Sequence, residues 1–188
     1  MRFPILLWLF LPLATTAQQP TPILNWNKLE SWAVFQSAEG RFSVNAPGPL
    51  REKVDSASTP LGAISYHSFI CRVGNEKNGL SAVYLVSYCD YPESTVHSDS
   101  TDLLREFFAA TVEESVRSSQ GELVYQDDAS LGLYPGKVWR INRPQDRTVI
   151  RTRAFVVNNR FYNVQSVMFG GASMDQSSDR FLESFKVY

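Results

Sequence analysis

Apolar and polar residues alternate along much of this chain, and a helical period interrupts the alternation in two places. Arg41-Phe42-Ser43-Val44-Asn45-Ala46 carries an apolar side chain at every second position and stops at Pro47-Gly48-Pro49. That is the pattern of a half-buried strand. Leu50 to Ala57 reads as a more polar strand, followed by a turn near Pro60 and Gly62. Residues 64 to 73 and 80 to 90 predict two long strands joined through Gly74 to Gly79. From Ser98 to Ser119 the spacing shifts. Leu104, Phe107, Phe108, Thr111, Val112 and Ser115 fall three and four apart, which predicts an amphipathic helix. Ser98 or Ser100 can cap its start, and Gly121 sits where it should stop.

Alternation then resumes. Glu122 to Gln126 predicts a short strand and Pro135-Gly136 a turn. Strands follow at about 137 to 143, 148 to 157 and 160 to 168, with hairpin turns at Gln145-Asp146 and Asn158-Asn159. After Gly170-Gly171, Ser173 can cap a second helix over about 174 to 184. Its apolar side is Phe181, Leu182 and Phe185. Strands joined by short hairpins pair antiparallel, so the expected class is α+β: a mainly antiparallel sheet packed with one long central helix and a C-terminal helix.

The first 31 residues do not share this regularity. Arg2, the apolar run Ile5 to Leu13 and Thr15-Thr16-Ala17 have the form of a cleaved secretory signal peptide over residues 1–17. The run is shorter than the roughly 20 residues a membrane span needs. No Cys follows it, so a lipoprotein anchor is not expected. Gln18 to Lys28 is aperiodic. Residues 18–31 are read as a leader, with Trp26 as a possible anchor, and residues 32–188 as one domain. The expected location is secreted or periplasmic, with no transmembrane segment after signal removal.

Residues 18–188 carry 17 Lys and Arg against 19 Asp and Glu, a net charge near −2. A nucleic-acid binder is normally strongly basic, so that class is set aside. Cys71 and Cys89 would sit in an oxidising compartment, where a disulfide is the first thought. Pairing Gly74 with Gly79 puts Cys71 opposite Ala82 and Cys89 opposite Ile64. The sulfurs are then roughly 20 Å apart along the ladder, whereas a disulfide needs Cα atoms within about 7 Å. Two buried free thiols are expected, with an intermolecular bridge as the alternative.

No sequence pattern marks a catalytic or metal centre. The two histidines, His67 and His97, form no His-x-His, HExxH or CxxC spacing with other residues. His67 and Cys71 are four apart on a strand, roughly 13 Å, too far for a thiolate–imidazole pair. Asp127 and Asp128 point to opposite faces of a strand. Gly170-Gly171-Ala172-Ser173 reads as a flexible connection into a capped helix rather than an anion site. No enzyme activity and no cofactor are expected.

Charge placement is the one uneven feature. Residues 137 to 160 hold Lys137, Arg140, Arg143, Arg147, Arg151, Arg153 and Arg160 against Asp146 alone. Residues 90 to 128 hold ten acids and two arginines. A turn at Gln145-Asp146 puts Arg140 directly opposite Arg151, with Arg153 on the same side. Trp139, Ile141, Ile150, Ala154 and Val156 then share the other face. Three guanidinium groups on one face need anions, since like charges across a ladder repel. The supply is either internal, from a helical stripe of Asp102, Glu106 and Glu113, or external, from an anionic partner.

Several local phrases resemble the PsbP-like superfamily over residues 32 to 187. They are Phe42, Val44 and Pro47 in the opening strand, Tyr134-Pro135-Gly136-Lys137 before a strand, Phe161 and Tyr162 opening the last strand, and Phe181-Leu182-Glu183-Ser184-Phe185 at the end. The resemblance implies an antiparallel sheet with helices packed on it. It also implies binding of other macromolecules without a shared active site. Nothing matches residues specific to photosystem or Ran binding, so neither role transfers. The expectation is an exported, non-enzymatic binding or accessory module of the cell envelope. It would dock an anionic protein partner through Arg140, Arg151, Arg153, Arg143 and Arg147. The alternative is a carrier for a small apolar or lipid ligand, in a cavity between sheet and helix lined by Phe107, Phe108, Tyr84 and Tyr88.

Overall fold

The computed structural model describes residues 24–25, 32–59, 62–75, 79–92, 95–171 and 175–188. The signal reading, Trp26, the Pro60 turn and the Ser173 cap lie outside the described residues. In chain order the strands are β1 Leu24–Asn25, β2 Ala33–Ser37, β3 Phe42–Ala46, β4 Arg51–Thr59, β5 Gly62–Asn75 and β6 Gly79–Asp90. Helix α1 spans Thr101–Ser119. Then come β7 Glu122–Leu131, β8 Tyr134–Arg143, β9 Thr148–Val157, β10 Arg160–Met168, helix α2 Asp175–Glu183 and β11 Lys186–Val187.

An eight-stranded sheet runs in the order β1-β5-β6-β10-β9-β8-β7, with β4 pairing along the other half of β5. Every ladder in it is antiparallel except the two-residue parallel contact of β1 with β5. A second sheet of three strands, β11-β3-β2, sits apart. The class is α+β, as the alternation and the helical stretch lead one to expect.

Two apolar cores lie on opposite faces of the large sheet. On one face, Phe42, Val44 and Ala46 of β3 join Phe181, Leu182 and Phe185 against Phe69, Cys71, Tyr84, Tyr88, Phe155 and Tyr162. On the other, Leu104, Phe107, Phe108 and Val112 of α1 cover Trp139, Ile141, Ile150, Ala154, Val156 and Phe161. These are called the small-sheet face and the helix face. The helical positions singled out by spacing are all buried, as are Phe181, Leu182 and Phe185. Tyr162 on β10 donates to the Gly40 carbonyl at 2.7 Å and ties the two sheets together.

Several local expectations are corrected. The first hairpin pairs Cys71 with Tyr84 and Cys89 with Tyr66, because a bulge between Val73 and Gly74 shifts the ladder beyond its turn. The thiols remain unbonded and buried, and the reason is stronger than distance: they belong to opposite cores. Helix α1 ends on Gln120, which takes the left-handed conformation at φ 53. Gly121 serves a different need, since a Cβ there would lie 2.4 Å from Ile141 Cγ2. Ser100 is the N-cap residue, but its side chain makes no capping bond.

Pro135-Gly136 is not a turn. β7 runs on to Leu131, and the turn is Gly132-Leu133, with Gly132 at φ +62 and Leu131 paired with Tyr134. Positive φ at the first central position alone is the type II′ pattern. Gly136 lies inside β8, where a Cβ would meet the Ala154 carbonyl and the Phe155 ring at 2.4 Å. The glycine is there for close approach, not for reversal.

Candidate anion-docking face

Strands β7, β8 and β9 form the site. β8 pairs with β9 so that Arg140 stands opposite Arg151 and Val138 opposite Arg153. The three arginines therefore share the small-sheet face. Trp139, Ile141, Ile150, Ala154 and Val156 are buried on the helix face. That division is the one read from the alternation. On β7 a bulge falls between Leu123 and Tyr125. It reverses the facing of the strand locally, so Leu123 pairs with Ile141 while Tyr125 pairs with Arg140. Tyr125, 40% exposed, thus joins the arginines.

Each arginine has a different partner. Arg151 bonds Asp179 of α2 at 2.5 Å. Burial works against its charge, but the bonds to Asp179 and to Tyr125 hold the guanidinium above its usual value. Arg153 donates to the Leu182 carbonyl in the last turn of α2 at 3.4 Å and lies over the Phe155 ring at 5.5 Å. Carbonyls at a helix C-terminus carry partial negative charge and favour a cation there. Arg140 donates from Nε to Asn142 Oδ1 at 3.0 Å, a neutral acceptor. Arg143 pairs with Asp146 at the turn. Arg147 is exposed at φ 54, and its carbonyl accepts from the Gly171 N–H at 2.9 Å.

The acids of α1 do not take part. Asp102, Glu106 and Glu113 are exposed on a helix that packs on the opposite face of the sheet. Asp102 pairs with Arg105 and Glu114 with Arg117, both within α1. Among the described residues the anion on this face is Asp179, which the spacing of charges did not single out. Its contact joins positions 28 apart, and no local pattern announces it. Among the described residues, Arg140, Arg147 and Arg153 have no carboxylate partner within ion-pair distance.

Arg160, counted with the basic segment by sequence, belongs elsewhere. It bonds Asp90 through two nitrogens at 2.6 and 2.7 Å, donates to the Glu39 carbonyl at 2.8 Å and lies 4.4 Å over the Tyr88 ring. Tyr88 stacks on His67 with ring centroids 4.5 Å apart, and His67 Nδ1 meets Glu52 Oε1 at 2.9 Å. This chain of contacts crosses β10, β6, β5 and β4 and accounts for His67. Asp127 and Asp128 face opposite sides, and Asp128 bridges Lys137 at 2.8 Å. Among the described residues no group of three or more His, Cys, Asp or Glu could hold a metal ion. No described helix is long and apolar enough to cross a membrane.

The residues proposed to line a carrier cavity do not meet. Phe107 and Phe108 lie under α1, while Tyr84 and Tyr88 lie on the small-sheet face.

No family model matches the chain. No curated protein matches it either. Among solved structures, it is similar to a protein of Bacteroides thetaiotaomicron at 11% identity and a TM-score of 0.43. The alignment covers 82% of this chain and 48% of that one, so the chain spans about half the length of the Bacteroides protein. It is also similar to a Pseudomonas aeruginosa protein of unknown function at 10% identity and a TM-score of 0.30, covering 73% and 82% of the two chains.

Proposed function

We propose that the protein is a non-enzymatic binding module, exported to the cell envelope, that docks an acidic protein partner on the arginine face of β7, β8 and β9. The observation that carries this reading is the asymmetry at the Arg140–Arg151 pair. Two guanidinium groups stand directly opposite each other, and the carboxylate that α2 brings to this face, Asp179, is bonded to Arg151. Arg140 is left with an amide oxygen. Guanidinium is suited to bidentate carboxylate contact, so an incoming Asp or Glu side chain is the chemistry that completes the face. Tyr125 beside Arg140 supplies a partly exposed aromatic ring, a residue type favoured at binding hot spots. Export rests on the form of residues 1–17, and the resemblance to the PsbP-like superfamily supports a binding role.

The test uses mature protein beginning at Gln18, immobilised and exposed to extract of its own cell envelope. A specific protein should be retained at low salt and released as salt rises, because the contact is charge-assisted. Arg140→Ser should lose that protein, while Arg105→Ser on α1 keeps it. Retention of the same protein by Arg140→Ser would sink the proposal. N-terminal sequencing of the envelope-localised protein should begin at Gln18; retention of residues 1–17 would remove the export part.

A further inference from the structure

The arginine face is only half covered. On the helix face of β8, Trp139 and Ile141 are buried under α1. On the small-sheet face of the same strand, Val138, Arg140 and Asn142 stay half-buried. Tyr125 and Asp127 of β7 stand opposite Arg140 and Val138 and are exposed. The other end of this hairpin is closed, because Ala129 and Leu131 pack against the small-sheet core. The open part is therefore the stretch Val138–Asn142 with Tyr125 and Asp127 beside it.

Its dimensions are those of a helix. Helix α2 lies on β9, β10 and β3. Packed helices stand about 8–10 Å apart, and two strand spacings make about 10 Å. A helix lying against α2 would sit over β7 and β8. The stretch Val138–Asn142 runs roughly 15 Å, close to about three helical turns. Strand addition at the free edge of β7 is the competing geometry, and β7 carries two features that oppose it. One is the bulge between Leu123 and Tyr125, the other the acids Glu122, Asp127 and Asp128.

Resting on the docking reading above, we propose that the partner presents an amphipathic helix, which lies beside α2 across β7 and β8. It does for Arg140 what α2 does for Arg151, where Asp179 of the helix meets the guanidinium. One Asp or Glu of the incoming helix takes Arg140, and its apolar side covers Val138 and the Tyr125 ring. Asp127 on β7 and Glu183, one turn after Asp179 on α2, border the strip. The acid is therefore wanted at one position, over Arg140, and bases suit the flanks.

NMR titration of isotope-labelled mature protein with synthetic peptides tests this. The probe is an alanine-based peptide of about 18 residues, long enough to be helical alone. It carries Leu and a single Glu on one face and Lys on its flanks. It should bind with a dissociation constant of about 0.1–3 mM, as suits so small a patch. Amides of β7, β8 and α2 should shift. Replacing the peptide's Glu by Gln, or Arg140→Ser in the protein, should each weaken binding about threefold or more. Arg105→Ser on α1 should not. The same peptide with a central Pro, which breaks the helix, should also bind about threefold more weakly or worse. Equal binding by the Pro peptide would overturn the helix and leave the arginine face standing. So would hydrogen-exchange protection gained by β7 alone, the mark of an added strand. Binding indifferent to Arg140→Ser would overturn both. No binding of the helical peptide at about 10 mM would overturn the helix, while loss of the envelope protein on Arg140→Ser would still uphold the arginine face.

Discussion

Arg151 of β9 is bonded to Asp179 of α2 at 2.5 Å, while Arg140, directly opposite it on β8, turns to Asn142. The pair divides the face into a compensated half beneath α2 and an uncompensated half toward β7. Removal of Asp179 should therefore act twice, by losing an ion pair and by leaving two cations opposite each other. Asp179 is 43% exposed, so the ion pair itself is expected to contribute no more than about 1 kcal/mol. Asp179→Asn should lower stability in urea unfolding by about that amount. Adding Arg140→Ser should return part of the loss, because the like-charge contact goes with it. Strictly additive effects of the two substitutions would show that the arginines do not repel.

Glycine substitutions should separate two kinds of need. Gly136→Ala inserts a methyl group against the Ala154 carbonyl and the Phe155 ring, both at 2.4 Å, in the middle of a ladder. The expected cost is about 1–3 kcal/mol or more, as for other overpacked sites. Gly132→Ala meets no neighbour within 4 Å and suffers only from φ +62. About 1 kcal/mol is expected there. Equal losses in urea unfolding would mean that Gly136 is not tightly enclosed.

The thiols make a prediction about alkali. Burial pushes Cys71 up from the ordinary value of 9.0 to about 11. Burial likewise raises Cys89 to about 12, partly opposed by a bond to Tyr91. The folded state thus favours the neutral thiols. Their contribution is fully present below the unfolded value, and it is lost as pH rises through the folded values. Stability should fall above about pH 9, and Cys71→Ala with Cys89→Ala should flatten that fall. Both thiols should resist alkylation in the folded protein and react after denaturation without reductant. A product two mass units light that takes up no reagent would contradict the opposite-face placement.

Tyr162 offers a test of how the sheets are joined. Its hydroxyl is buried and bonded to the Gly40 carbonyl, 122 positions away. Tyr162→Phe keeps the ring in the core and strands that carbonyl. A loss of about 1 kcal/mol in urea unfolding is expected. Hydrogen exchange should quicken first at β2 and β3, and unchanged protection there would show that the bond does not anchor the small sheet.

Short-range pattern and long-range contact decided different things in this protein. Alternation placed the β9 and β10 boundaries, the Arg143–Thr148 closure and the facing of Arg140, Arg151 and Arg153, because a strand's period and a short turn determine which side each residue takes. Spacing of three and four likewise exposed the buried side of α1. It did not reveal which element would cover which face. The basic face lies under α2 and not α1. β11 closes onto β3, and the bulge at Val124 brings Tyr125 beside Arg140. Local periodicity carries no information about partners 28 or 122 positions apart, and the reach of Asp179 to Arg151 exists only once the terminal helix has settled on the sheet. Gly121 and Gly136 show the same limit: their signal says that no side chain fits, and only the packed neighbours say whether the reason is a turn or a close approach.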